Sequence, residues 1–486
     1  MWIDQKGTNV NTITGTPSIL PSTGTSKTHF TRPAKPEDGP SLPSDAADIN
    51  FSASTASAPP RKSSESKTSA KQTPAPAAQP PRPSNNPTVL PMLDDPPAIA
   101  LTQAAPWSGS PSPASAAAAV ATNAAAPTPA AWISQLSVSG PVGVFSTPTP
   151  EGLKPFTDFI NGAQHSLKMA MFHITDPGVA QALIQAKDRL GADNVQVLLD
   201  GASIAANNGQ NSEAKIYQQL EAAGVNCIKS SPAFSITHEK SMVADAGTPQ
   251  AKALISSVNM TKLSTTTRDY GITTTDPGII NEFDSVFSTD IANAKNGTGN
   301  TPPLSNPNLV WSPTDSESKL VDIINSAANS QYSLSATTES LSDPAIMAAL
   351  QAAAGRGVNI QMIVPEYVEG PPSTAVFNYP ALKTLNATEV AGSGHDIQAH
   401  VMPYPATATT PYMHGKMMLV QGPDGDLGYL GSVNFSANST DHAREVGFVF
   451  NDKTAPAVVQ QLKSDFATDW KVSIPPPANP TPPADS

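Results

Sequence analysis

The 486 residues contain a single cysteine, Cys227, so no disulfide can close within the chain and thiols do not fix its redox compartment. Positive charge is scarce as well: 28 Lys and Arg stand against 40 Asp and Glu, a net charge of −12. The first 132 residues carry 9 basic and 8 acidic groups, so the negative balance belongs to residues 133–486. An acidic surface repels polyanions, which makes nucleic acid a less natural substrate or partner. No apolar run reaches the roughly 18 residues of a membrane-spanning helix, so a soluble protein is expected. The opening "MWIDQKGTNVNTITGTPSIL" has no charged segment leading into an apolar one, which argues against a standard cleaved secretory signal.

Proline is abundant and unevenly spread. Of 50 prolines, 22 fall in the first 132 residues, in stretches such as "QTPAPAAQPPRPSNNP" that are otherwise Ala, Ser and Thr. Such a composition buries too little apolar surface to offset the entropy of ordering it, so 1–132 reads as a disordered tail and the Pro-rich 474–486 as another. A long polar N-terminus without a signal suits a bacterial effector exported by a dedicated secretion machine; a spacer in a cytoplasmic protein fits the same composition.

The remainder repeats itself. Leu153 to Asp200 has a counterpart in Ser318 to Glu366, each with an amphipathic helix, a short strand, an Asp-Pro helix start (Asp176-Pro177 and Asp343-Pro344) and a buried-looking strand, "NVQVLLD" or "NIQMIVP". Strand, helix, strand at this length is a βαβ unit, so each half is expected on a largely parallel sheet flanked by helices. The simplest architecture is α/β: two similar α/β/α sandwich halves, 133–297 and 308–473, related by a pseudo-two-fold axis.

The repeat also carries chemistry. In "YMHGKMMLVQGPDGDLGYLGSVNFS", His414 and Lys416 head an apolar strand and project from the same face if that strand is regular, while a hairpin returns Ser432 and Asn434 to them. The first half groups His238, Lys240, Ser257 and Asn259 in the same way, and one acid follows in each half, Asp269 and Glu445. A lone His-x-Lys ordinarily does no more than face solvent, and a lone Ser-x-Asn makes a turn. The same four residue types recurring at the same place in both halves argue for a site. Two histidines facing each other across a pseudo-two-fold fit phosphodiester chemistry, one attacking phosphorus and the other protonating the leaving alcohol and then activating water. Lys240, Lys416, Asn259 and Asn434 would surround the phosphoryl oxygens, with Ser257 and Ser432 as further substrate-binding donors. Asp269 and Glu445 are suited to hold each imidazole in its reactive tautomer. This chemistry calls for no metal or other cofactor, and no ligand cluster is visible.

The pair "HEKSMVAD…SSVN" and "HGKMMLVQ…GSVN" resembles the doubled HxK(x)4D…GSxxN signature of the phospholipase D superfamily, and the likeness spans about 133 to 473 with its closing "FATDW". The resemblance implies a two-lobed fold with the site between the lobes and a two-step reaction through phosphohistidine, with His238 as nucleophile and His414 as general acid. Three positions depart from the pattern: Gln421 replaces the second motif's aspartate, Ser256 stands where Gly is usual, and Asp269 is one methylene shorter than the family's glutamate. The first copy keeps Asp245, and the resemblance implies that this aspartate lies off the phosphate. The leading expectation is a phospholipase D acting on phospholipid at a membrane surface to give phosphatidic acid and an alcohol. A cardiolipin or phosphatidylserine synthase-like phosphatidyltransferase, a nuclease, and a non-catalytic lipid- or protein-binding scaffold are the alternatives. Head-group choice is expected to depend on loops such as 367–380.

Overall fold

The computed structural model describes residues 128–367, 378–478 and 480. Residues 1–127 of the expected N-terminal tail, most of the 367–380 loop and 481–486 of the C-terminal tail lie outside the described residues. The first half runs β1 (Val142–Thr147), α1 (Lys154–Asn161), β2 (Leu167–Met171), α2 (Pro177–Leu190), β3 (Val195–Leu199), α3 (Gly201–Gly209), α4 (Ser212–Ala222), β4 (Asn226–Lys229), β5 (Lys240–Ala244), β6 (Lys252–Ser256), β7 (Thr267–Thr274) and α5 (Pro277–Asn296). The second runs β8 (Leu309–Ser312), α6 (Ser316–Ser326), β9 (Ser333–Thr337), α7 (Pro344–Gly355), β10 (Asn359–Pro365), α8 (Tyr379–Leu385), β11 (Gln398–Met402), β12 (Tyr412–Met413), β13 (Lys416–Gln421), β14 (Leu427–Gly431), α9 (Ala437–Asp441), β15 (Glu445–Asn451) and α10 (Pro456–Val472).

Local chemistry sets the repeated helix starts. The Asp176 and Asp343 carboxylates accept the backbone N–H of Val179 and of Ala345 and Ile346, and a proline follows each at the first helical position, where no N–H is needed. The sheets are mixed, which corrects the expectation of largely parallel ones. Strand order is β1-β7-β6-β5-β2-β3-β4 in one and β11-β10-β9-β13-β14-β15-β8 in the other. Within each sheet's strand order, β2, β3 and β4, and likewise β9, β10 and β11, pair in parallel, and the short β12 adds a parallel pairing to β7. The strands that follow the histidines return through short turns and are therefore antiparallel.

Each sheet buries one face under its own helices, with α1, α2 and α4 on the first and α6, α7 and α8 on the second. The opposite faces meet each other. Ile255, Tyr270 and Ile272 of one sheet share a single core with Met417, Leu430, Val446 and Phe448 of the other, closed by Phe283 of α5 and Phe466 of α10. The chain just before β1 crosses over: Ala131–Gln135 forms a 3-10 turn, Trp132 donates its indole N–H to Asp322 of α6 at 2.8 Å, and Leu136 enters the second half's core. Ala131 and Trp132, expected within the tail, are thus part of the fold, and at the other end Ile474 pairs with Val401.

Asp245 ends β5 with φ of 58°, and its carboxylate accepts the backbone N–H groups of Gln164, His165 and Ser166 at 2.6–3.0 Å. It ties down the loop that enters β2. At the related place in the second half Tyr332 donates its hydroxyl to Asp424 at 2.5 Å, and Gly422 leaves room for that ring, which would stand 2.2 Å from a Cβ there. Asp245→Ala is therefore expected to cost about 2–4 kcal/mol, through backbone donors left without an acceptor. Gln421→Ala should cost less than about 1 kcal/mol. Urea unfolding of the two variants measures this, and equal losses would show that the two positions still carry the same load.

Candidate active site

Both histidines sit in a break between strands. Thr237 pairs in parallel with Arg444 of the second half, His238 and Glu239 lie outside any strand, and Lys240 begins β5 in the first sheet. In mirror fashion β12 pairs in parallel with Thr267 and Arg268 of β7, His414 and Gly415 form the break, and Lys416 begins β13 in the second sheet. The His-x-Lys segment is thus no regular strand, contrary to the expectation; it is where the chain passes from one sheet to the other. Backbone bonds fix the passage, His238 N–H to the Arg444 carbonyl at 2.9 Å and His414 N–H to the Arg268 carbonyl at 3.2 Å.

That passage puts each imidazole beside the other half's acid. His238 Nδ1 lies 2.7 Å from Glu445 Oε2, and His414 Nδ1 lies 2.5 Å from Asp269 Oδ1. All four side chains are buried. With Nδ1 committed to a carboxylate, the chemistry of both rings falls to Nε2. Lys240 and Lys416 are fully buried on the central strands, Lys240 Nζ donating to the His238 carbonyl at 3.0 Å. Asn434 accepts from Ser340 N–H and Thr338 Oγ through its Oδ1, and among the described residues its buried Nδ2 has no acceptor, as suits a donor awaiting a ligand oxygen. Asn259 holds the matching position after β6.

The two serines expected as substrate-binding donors both bond the strands that carry the acids. Ser257 donates to Asp269 Oδ1 at 2.6 Å and accepts from Tyr270 N–H, while Ser432 bonds both the N–H and the carbonyl of Val446, next to Glu445. Their hydroxyls hold the carboxylate strands in place. Ser256, the departure from glycine, has a local reason: its hydroxyl accepts Val258 N–H at 3.1 Å. In the second half Tyr429 Oη accepts the equivalent Val433 N–H at 3.1 Å, and it needs glycine at 431 and 447, where a Cβ would stand 2.9 Å from that oxygen.

Four further residues support the acids. Each acid follows an arginine, and each arginine reaches across to the other half's last helix. Arg268 grips Asp469 with two bonds at 2.7 and 2.8 Å, and Arg444 bonds Asp290 at 2.9 Å. The repeated "RD"/"RE" and "FSTD"/"FATD" were the available signal. On one side a second acid joins. Glu239 stands 3.7 Å from Arg444, so one guanidinium faces two buried carboxyl groups. Its counterpart is Gly415, where a Cβ would meet the Tyr270 ring at 2.6 Å.

A family model described as cardiolipin synthase, PLD-like domain matches residues 156–291 and again 320–470, more than half of the chain. The chain belongs to the phospholipase D superfamily. Superfamily members are phosphodiesterases or phosphatidyltransferases, which is the class of this chain too. Among solved structures, phosphatidylserine synthase from Haemophilus influenzae Rd KW20 is similar at 12% identity over 68% of this chain and 86% of its own, with a TM-score of 0.51. Polyphosphate kinase from Porphyromonas gingivalis is similar at 11% identity, 68% of this chain and a TM-score of 0.51; the chain spans 47% of that kinase's length. The phospholipase D family member Nuc from Salmonella typhimurium aligns at 21% identity over 31% of this chain and 94% of its own, with a TM-score of 0.26. For the synthase and the kinase the likeness is one of fold. No curated protein sequence matches significantly.

Burial above all, and then the charge of Asp290, pushes the Glu239 carboxyl of this phospholipase D-superfamily site up from 4.5 to about 8, against the pull of Arg444. The folded state therefore holds a proton that the unfolded chain has released above pH 4.5. The stability this proton supplies is full below the unfolded value and drains away as pH rises through the folded one. Denaturation midpoints measured from pH 5 to 9 should fall for the wild type and fall less for Glu239→Gln; parallel curves would show that Glu239 does not carry the proton.

Proposed function

We propose that the chain is a phospholipase D, hydrolysing the head-group phosphodiester of a phospholipid at a membrane surface. The observation that carries the reading is the crossed pairing, in which each half's imidazole is oriented by the other half's carboxylate. His238 Nε2 attacks phosphorus. The bond from phosphorus to the head-group oxygen breaks, and that oxygen takes a proton from His414 Nε2. The phosphatidyl group is left on His238. His414 then removes a proton from water, the resulting hydroxide attacks phosphorus, and the P–N bond breaks to release phosphatidic acid. Lys240, Lys416, Asn259 and Asn434 carry the charge on the phosphoryl oxygens, and Asp269 and Glu445 keep each ring in register. The net charge of −12 favours lipid over nucleic acid.

A phosphatidyltransferase, with an alcohol replacing water in the second step, is the second reading, favoured by the cardiolipin synthase description of the matching family. In chelator, the wild type should release head group from phosphatidylcholine or phosphatidylethanolamine. His238→Ala and His414→Ala should lose about 10³-fold or more. Added glycerol separates the readings by diverting product to phosphatidylglycerol. Turnover of an oligonucleotide alone would sink the lipid assignment. A radiolabelled phosphatidyl group quenched in alkali during turnover should remain on the wild-type protein and be absent from His238→Ala.

A further inference from the structure

The two ends of the site differ in chemistry at symmetry-related positions. Ile174 bridges Met260 and Leu341 bridges Phe435, each the residue after a site asparagine, so Phe172 and Glu339, two places earlier, are equivalent. Ile236 and Tyr412 likewise stand two before each histidine, and Ala443 and Thr267 two before each acid. In the first half Phe172, Ile236 and Ala443 form an apolar cluster, with the Phe172 ring 4.9 Å from that of His238 and 5.0 Å from Lys240 Nζ. In the second half a carboxylate replaces that ring. Glu339 is 3% exposed, accepts the Tyr412 hydroxyl at 2.6 Å through Oε1, and sets Oε2 3.4 Å from Lys416 Nζ and 3.8 Å from His414 Nε2.

Building on the phospholipase reading, we propose that Glu339 is a specificity-determining residue that selects zwitterionic phospholipids, those whose head group carries an ammonium beside the phosphate. Phosphate attack by His414 would bring one anion against another at Glu339, whereas His238 meets Phe172 at the matching place. Attack therefore belongs to His238, and the leaving head group lies opposite it, at the His414 end beside Glu339 and Tyr412. The Lys416–Glu339 pair is the charge complement of a phosphate–ammonium zwitterion. When the phosphoryl oxygen takes Lys416, the carboxylate it leaves is compensated by the ammonium, and no buried charge remains unpaired. A neutral glycerol head group supplies the phosphate but no cation, and strands Glu339. The first half buries Lys240 beside an apolar ring at the matching place, so the repeat does not by itself require an acid there.

The test compares phosphatidylethanolamine with phosphatidylglycerol in the same neutral-detergent micelles, for the wild type, Glu339→Gln and Glu339→Asp. The wild-type ratio of kcat/KM should favour ethanolamine by about tenfold or more, collapse at least about tenfold in Glu339→Gln, and be largely kept in Glu339→Asp. Where Glu339→Gln does not fold, Tyr412→Phe, which removes only the supporting hydroxyl, should lower the same ratio. A ratio unmoved by these variants, or equal loss on both lipids, overturns the assignment while leaving the phospholipase reading intact. A wild type that turns over neither lipid overturns both.

Discussion

Both site histidines and the two arginines beside the acids are answered from the other half of the chain. His238 is held by Glu445 and His414 by Asp269, while Arg268 is held by Asp469 and Arg444 by Asp290. Removing one partner from such a pair leaves an uncompensated charge in the interior, typically about 3–5 kcal/mol each. The joint between the sheets is therefore set by charge matching as much as by the shared core of Ile255, Tyr270, Met417 and Phe448. An apolar interface alone would tolerate small slips between the halves. Four reciprocal ion pairs do not, because a slip of an ångström or two separates all of them at once.

The crossing also explains why the histidines lie in breaks. A strand hydrogen-bonded along its whole length to one sheet could offer its side chains only to that sheet's faces. By pairing first with β7 and then with β9 and β14, the chain at His414 changes sheets, and the imidazole is carried into the seam with it. Gly415 fits this bend against the Tyr270 ring.

Much of this was legible in the sequence. The duplication pointed to two halves, and the repeated His, Lys and Asn with one later acid named the groups that the fold gathers. The crossed partnership was not legible, because spacing within a repeat reports neighbours in sequence, and Glu445 pairs with a ring 207 residues away. The parallel-sheet reading failed where βαβ patterning ends and hairpins begin. The serines' bonds to the acid strands were not legible either, because a hydroxyl near a carboxylate looks the same in sequence whatever it bonds. Substitution can also move a function sideways: the hydroxyl that satisfies Val258 comes from Ser256, its counterpart from Tyr429 two residues earlier in the motif, so position-by-position comparison undercounts what the halves share.

The separation of these partners bears on how the protein is made. Arg268 must wait 201 residues for Asp469, and His238 waits for β15. During synthesis the first half leaves the ribosome before the acids that answer Arg268 and His238 exist. Helix α10 arrives after both histidines, and its Asp469 closes the ion pair with Arg268 beside Asp269. Assembly of the site thus waits for α10, so that a polypeptide cut short before α10 carries both histidines and still lacks a finished seam between them.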